Sequence, residues 1–297
     1  MRVCKPRSGR AHPMGFDAGR LKFINWFPGH MATGLRQMRN HMMYESGVDL
    51  VVEVRDARCP RASQNDLLQE KNTKKSIVVY NKRDLAEDCP RAKALCSDGL
   101  LLSTKNPSDV HALLSTITQT ISGQANYAVG RRYRALVVGI PNVGKSSLIN
   151  AIRSASGHGT GRKAVVTGAK PGVTRIVSDV IKISTVPDIY LIDTPGIGWP
   201  KLANVHDGLN VALTGGLFDN AVGVMLLAEY LHHVLQARGS LASAIAFSSH
   251  PDFQVFIGQV AKGIGALKPG VVPDLERAAA FLLKQFRSGR LGRYTLD

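Results

Sequence analysis

Residues 139–146 read Gly-Ile-Pro-Asn-Val-Gly-Lys-Ser, a full match in type and spacing to a phosphate-binding loop. The apolar run Ala135–Val138 precedes it, and a helical pattern follows from about residue 145 to 153. Glycines let the backbone curl so that its N–H groups and the helix N-terminus surround phosphate oxygens. Lys145 would reach the β- and γ-phosphates of a nucleotide, and the Ser146 hydroxyl would hold Mg2+. Asn142, Val143, Gly144, Lys145, Ser146 and Ser147 form the expected phosphate-contact set.

The base is read elsewhere. Asn81-Lys82-Arg83-Asp84 follows the apolar run Ile77–Tyr80 and resembles the NKxD motif for guanine. A carboxylate such as Asp84 accepts from both guanine N1–H and N2–H2, a donor pair that adenine lacks. Asn81, Lys82 and Asp84 are therefore expected at the base. Ser103, Thr104 and Lys105 end the next apolar run and resemble the SxK element beneath it.

Asp193-Thr194-Pro195-Gly196 ends the run Ile189–Ile192 and resembles a DxxG motif. Asp193 would bind Mg2+ through water, and the Gly196 N–H would contact the γ-phosphate. Thr174, in Pro171-Gly172-Val173-Thr174, is the expected switch threonine and Mg2+ ligand, with Thr167 and Thr160 as rivals in the same loop. Lys145 and Thr174 are thus candidates for catalysis as well as binding.

The elements that must carry these loops are legible as patterns. Apolar runs at Leu50–Val54, Ser76–Tyr80, Leu100–Ser103, Ala135–Gly139, Ile176–Ile183 and Ile189–Ile192 read as buried strands. Helical patterns at about 32–45, 63–71, 107–121 and 145–153 alternate with them, which predicts a mostly parallel, doubly wound α/β sheet. Residues 154–173 read as a mobile loop. After about residue 200 the patterns are helical, at 204–216, 219–237, 252–262 and 274–287, with no convincing strand. The expected organisation is a basic leader at 1–23, a nucleotide domain at 24–200 and a small all-helical domain at 201–297.

In common small GTPases the motif order is phosphate loop, switch threonine, DxxG, NKxD, SxK. Here NKxD and SxK come first, which is a circular permutation. The segment after DxxG then leads directly into the helical domain, a short covalent path for a switch signal.

A net charge of +16 and a pI near 10.0 favour a polyanionic partner, nucleic acid ahead of membrane. Arg277, Lys284, Arg287, Arg290 and Arg293 form a late cluster with no acid from 277 to 296, read as an RNA contact or a solvated helix face. No apolar run approaches the ~20 residues of a membrane span. Cysteines at 4, 59, 89 and 96 show no metal-ligand spacing and fit a reducing compartment. The Arg-rich start, with no acid before Asp17, resembles an organellar transit peptide or a disordered basic arm. Asp56 and Arg58, after a strand end, read as loop-positioning residues or as contacts to a switch or partner. His232 and His233, on an apolar helix, read as structural.

Together these features resemble the YlqF/RbgA family of circularly permuted ribosome-assembly GTPases, most closely its mitochondrial members. The matching segments are WFPGHM at 26–31, VDLVVEVRDAR at 48–58, NKRD, GIPNVGKSSLIN at 139–150, PGVT, DTPGI and FRSGRLGR at 286–293. The resemblance implies binding of GTP/GDP with Mg2+, and GTP-dependent maturation of a large ribosomal subunit in the mitochondrial matrix. It implies ribosomal RNA, ribosomal proteins and other assembly factors as partners of a monomer, with room for peripheral association with the inner membrane. Ras-like enzymes place a water-orienting Gln directly after DxxG, where this chain has Ile197, so a low intrinsic rate is expected. The family implicates the histidine of the PGHM segment, here His30, in hydrolysis. Asn142 matches an asparagine that coordinates K+ in potassium-activated relatives. The competing reading is an RNA-binding placeholder in which GTP is a structural ligand.

Overall fold

A computed structural model describes residues 47–65, 75–157, 180–193, 202, 204–217, 219–241 and 249–297. His30 and its segment 26–31, the helical pattern at 32–45, Thr160, Thr167, Thr174, Gly196 and Ile197 lie outside the described residues.

Val- and Ile-rich runs build a six-stranded sheet in the order β3-β2-β1-β4-β6-β5. Its strands are β1 (Leu50–Asp56), β2 (Lys75–Asn81), β3 (Leu100–Leu101), β4 (Arg132–Val138), β5 (Val180–Thr185) and β6 (Asp188–Asp193). All neighbours are parallel except β5, which returns antiparallel to β6 at the edge. Every residue of β1 is buried, as expected of a strand inside a parallel sheet. The register matters for function. Asp56 pairs with Asn81, and Val137 with Asp193, so the C-terminal strand ends fall along one edge. Ligands of open α/β sheets sit at that edge.

Helices α1 (Pro90–Ala94), α2 (Pro107–Ser122) and α3 (Lys145–Ala155) connect the strands. On α2, Val110, Leu113, Ile117 and Ile121 make the buried stripe, and Asn106 caps its start by accepting from the Ser108 N–H at 3.1 Å. The chain past residue 204 forms α4 (Val205–Leu213), α5 (Asp219–Val222), α6 (Val224–Ala237), α7 (Phe253–Gly263) and α8 (Leu275–Arg287). Side chains of Asn204, Asp252 and Asp274 cap α4, α7 and α8. Helix α8 buries Ala278, Ala279, Leu282, Leu283 and Phe286, and packs on α6 and α7. One apolar cluster runs from Val52, Val54 and Val79 through Leu113 and Ile149 to Leu282 and Phe286. Each such side chain contributes ~1.5–3 kcal/mol on burial.

Three details differ from the sequence expectation. The pattern at 219–237 is two helices, α5 and α6, separated at Gly223. A two-stranded ribbon, β7 (Leu267–Lys268) with β8 (Val272–Pro273), interrupts the helical segment. Strands of two residues are too short to show a period. The helical pattern begun at 63 is turn and bridge as far as Asn65. There the Ser63 hydroxyl accepts from the Asp56 N–H at 3.0 Å, and the Asn65 N–H donates to Glu53 at 2.9 Å. Partners on β1 outcompete a first helical turn.

Candidate nucleotide site

Strand β4 feeds the loop Gly139–Gly144, and α3 starts at Lys145. Both glycines are required by close approach. A Cβ on Gly139 would lie 2.3 Å from the Val54 carbonyl oxygen of β1. A Cβ on Gly144, where φ is +100°, would lie 2.3 Å from Asn81 Nδ2. The spacing of the motif thus reflects two close approaches, one to the β1 backbone and one to the Asn81 side chain at the end of β2.

Lys145 is 6% exposed, and its Nζ donates to the carbonyls of Gly139 at 2.8 Å and Ile140 at 2.9 Å. Burial pushes its pKa down to about 8, against the pull of Asp193, with the Lys82 charge adding to the fall. A phosphate group in the loop would supply the missing counter-charge. Asp193 ends β6 beside the P-loop strand and is 4% exposed. Ser146 is half-buried in the first turn of α3, while Ser147 is exposed and Val143 is buried.

The base loop is fastened to the P-loop. Asn81 Nδ2 donates to the Val143 carbonyl at 2.9 Å, and Lys82 Nζ donates to the Asn142 carbonyl. Asn81 Oδ1 accepts from the Thr104 N–H at 3.3 Å, which brings the loop after β3 to the same place. Asp84 receives the Ser103 hydroxyl at 2.9 Å and the Lys105 ammonium at 2.7 Å. Partial burial works to raise the Asp84 pKa, but the bonds from Lys105 and Ser103 outweigh it and hold the carboxyl ionised. Asn81, Lys82, Asp84, Ser103, Thr104 and Lys105 therefore meet at one edge of the sheet with Asn142, Val143, Gly144 and Lys145.

Asp56, at the end of β1, sits beneath this junction. Its carboxylate pairs with Lys82 at 2.8 Å and with Arg58 at 2.8 and 3.0 Å. Burial opposes its ionisation, and Arg58 and Lys82 more than reverse that, so its pKa lies far below the usual range. Arg58 also donates to the Thr214 carbonyl at 3.2 Å, and Asn142 Nδ2 donates to the Gly215 carbonyl at 2.7 Å. These bonds close a ring through β1, the base loop, the P-loop and the turn after α4. The part played by Thr214 and Gly215 carries no sequence signal beyond a Gly-containing turn.

The late basic cluster divides. Arg287 donates to the carbonyls of Leu213 at 3.0 Å and Ala212 at 2.8 Å and pairs with Asp219 at 2.5 Å, closing the C-terminus of α4. Arg293 donates to Ala86 and Arg83 carbonyls. Both bond within the chain, so neither is a purely solvated side chain, although Arg293 is exposed. Arg277, Lys284 and Arg290 are exposed.

Hard oxygen donors on Ser146 and Asp193 suit Mg2+. No cluster of three His, Cys, Asp or Glu side chains fit for a metal occurs among the described residues. His232 packs against Phe256 and bonds to the His250 carbonyl at 3.0 Å, a structural role.

A family model described as "50S ribosome-binding GTPase" matches residues 134–240. The mitochondrial ribosome-associated GTPase 1 of Ictalurus punctatus is 34% identical over 308 residues, covering 95% of each chain. That of Mus musculus is 35% identical over 300 residues, covering 92% of this chain and 89% of the relative. GDP-bound YlqF superposes with a TM-score of 0.59 at 24% identity, covering 88% of this chain and 98% of that one. GNP-bound YlqF from T. maritima gives the same TM-score at 23% identity and covers 89% and 97%. The permuted motif order, the sheet that carries it and these relatives agree: the chain belongs to the family of circularly permuted GTPases that includes the mitochondrial ribosome-associated GTPases.

Proposed function

We propose that this GTPase binds a maturing mitochondrial large ribosomal subunit and uses GTP binding and hydrolysis to time an assembly step and its own release. The observation that carries the reading is the closed ring at the P-loop. Asn142 belongs at once to the phosphate loop and, through Gly215, to the helical segment, so a change at the phosphates has a short path outward. The names of the relatives, mitochondrial and ribosome-associated, support the location and the partner. The net charge of +16 agrees with an RNA surface.

In this reading Asp84 accepts from the guanine edge, with Asn81 and Lys82 holding base loop to P-loop and Ser103–Lys105 beneath. Lys145 neutralises the β- and γ-phosphates. Ser146, Thr174 and Asp193, the last through water, would hold Mg2+, which when bound screens phosphate charge. Any K+ would be held by the side-chain oxygen of Asn142, since its Nδ2 faces Gly215. Gly196 meets the γ-phosphate. Ile197 offers no group to orient water, so intrinsic turnover is slow, and His30 supplies the missing group once the subunit docks. Residues 1–23 act as a leader, 24–200 as the GTPase domain and 201–297 as the RNA-binding domain. The protein works as a monomer in the matrix with ribosomal RNA, ribosomal proteins and other assembly factors. No described helix is long and apolar enough to cross a membrane. Any contact with the inner membrane is proposed as peripheral.

Sedimentation with mitochondrial large-subunit precursors tests the timer. A non-hydrolysable GTP analogue should retain the protein on the particle and GDP should release it. Ile197 favours one competitor, an RNA-binding placeholder with GTP as a structural ligand. It predicts equal retention in both states.

A further inference from the structure

The segment after α8 returns to the base loop. Arg293 Nε donates to the Ala86 carbonyl at 2.7 Å, and its Nη2 to the Arg83 carbonyl at 3.2 Å. The Tyr294 N–H donates to the Leu85 carbonyl at 3.0 Å. Thr295 Oγ1 accepts from the Glu87 N–H at 3.2 Å. Residues 293–295 thus engage the backbone of Arg83, Leu85, Ala86 and Glu87, the turn in which Asp84 sits.

On its other side the turn is tied by the Arg83 N–H, which donates to the Leu102 carbonyl at 3.0 Å, and by Arg83 pairing with Asp109 at 2.9 Å. It is a single 3-10 turn, Arg83–Leu85, entered through Lys82 at a left-handed φ of 64°. Such a conformation is unfavourable for a residue with a Cβ. Its own backbone bonds are Leu85 N–H to Lys82 O at 2.9 Å and Ala86 N–H to Arg83 O at 3.2 Å. The strap that grips it is anchored in turn. Arg238 of the turn after α6 donates to the Thr295 carbonyl at 2.6 Å and pairs with Glu87. The Leu296 N–H donates to the Arg58 carbonyl at 2.7 Å. Asp297 accepts from the Arg61 N–H at 2.5 Å and the Ala62 N–H at 3.2 Å. The strap therefore spans the loops that follow β1 and β2.

We infer that Arg293 is a positioning residue for guanine recognition, acting through the strap 293–295 on the turn that carries Asp84. The inference rests on the reading of Asp84 as the base acceptor. Ser103 and Lys105 fix the carboxylate from one side, and the strap fixes its backbone from the other. Binding and strap order are linked reciprocally, so an occupied base site steadies the strap and, through Gly292–Gly289, the end of α8. Base occupancy thereby reaches the helical segment by a path separate from the phosphates.

Full-length Arg293→Ala, Arg293→Lys and Thr295→Val test this by fluorescent-nucleotide titration, steady-state hydrolysis and amide hydrogen exchange. Arg293→Ala should weaken GTP and GDP alike by roughly 10-fold, raising KM and leaving kcat within about twofold, the pattern of lost uniform binding. Arg293→Lys, which keeps one donor, should recover part of the loss. Saturating GDP should slow exchange at the Tyr294 and Leu296 amides in the wild type and less so in Arg293→Ala. Wild-type affinities in Arg293→Ala, or no GDP protection of the strap, would overturn the inference. If Arg293→Ala fails to fold, Arg293→Lys, Thr295→Val and wild-type exchange decide by the same criteria. Asp84→Asn is the control, and should lose the preference for guanine over xanthine. If it keeps that preference, the base reading and this inference both fall. If it loses it while the strap variants bind normally, only the inference falls.

Discussion

The Asn81 side chain donates to the Val143 carbonyl at 2.9 Å, and the two residues stand 62 positions apart. The bond fuses the loop that ends β2 to the loop that ends β4, although β1 lies between those strands. Asn81 is buried and also accepts from Thr104, so it ties three loops. Asn81→Ala would orphan the buried Val143 carbonyl and remove the partner of the part-buried Thr104 N–H. Unsatisfied buried groups cost ~1–3 kcal/mol each. Guanine nucleotide affinity should fall by at least ~10-fold, and fluorescence titration would show it.

In the proposed binding mode Lys145 would supply the ammonium that meets phosphate in the P-loop. Lys145→Ala should abolish productive GTP binding and turnover while the sheet stays folded, since among the described residues the side chain donates hydrogen bonds to its own loop's carbonyls. Equilibrium dialysis with labelled GTP, alongside circular dichroism, checks both halves. Turnover at the wild-type rate would remove the P-loop from the mechanism.

Asp56 is the anion on which Arg58 and Lys82 converge. Breaking a buried ion pair on one side costs ~3–5 kcal/mol, so Asp56→Asn should lower stability by about that amount in urea unfolding at pH 7. The sign with pH follows from its depressed pKa. The stabilisation is complete above the ordinary carboxylate value of 3.8 and is lost as pH falls toward the folded value. Wild type and variant should therefore converge as the pH drops below ~4. A constant gap across that range would mean that Asp56 acts by shape and not by charge.

Much of this was readable in advance because the signals are local. Near-continuous Val and Ile runs mark β1, β2 and β4, and α2 declares itself through Pro107 and the stripe Val110, Leu113, Ile117 and Ile121. The P-loop and base loop are spacing motifs complete within a few residues. The bonds of two arginines in the basic tail were not legible, for a physical reason. Arg287 and Arg293 bond mainly to backbone carbonyls, 74 and 75 residues away for one and 207 and 210 for the other. A carbonyl has no residue-type signature, so a guanidinium that caps a distant helix looks like one that faces solvent. The same holds for Asn142, whose target is the Gly215 carbonyl.

Ile197 cannot position water, so the accelerated rate should depend on a delivered group, and His30 is the proposed one. His30→Ala should lower subunit-stimulated hydrolysis by ~10²-fold or more, the range for a positioned acid–base or orienting residue. GTP affinity should stay near wild type. A stimulated rate within a factor of ~2 would shift the role to K+ held by Asn142 or to a group on the ribosome.

In the proposed function the ribosomal particle and the GTPase site act on each other. Single-turnover GTP hydrolysis by the full-length protein, with and without saturating mitochondrial large-subunit precursors, tests it most directly. Hydrolysis should be slow alone and rise by at least ~10-fold with the precursor, each 10-fold step amounting to about 1.4 kcal/mol of barrier. Equal rates in the two conditions, with binding to the particle confirmed in the same samples, would contradict it.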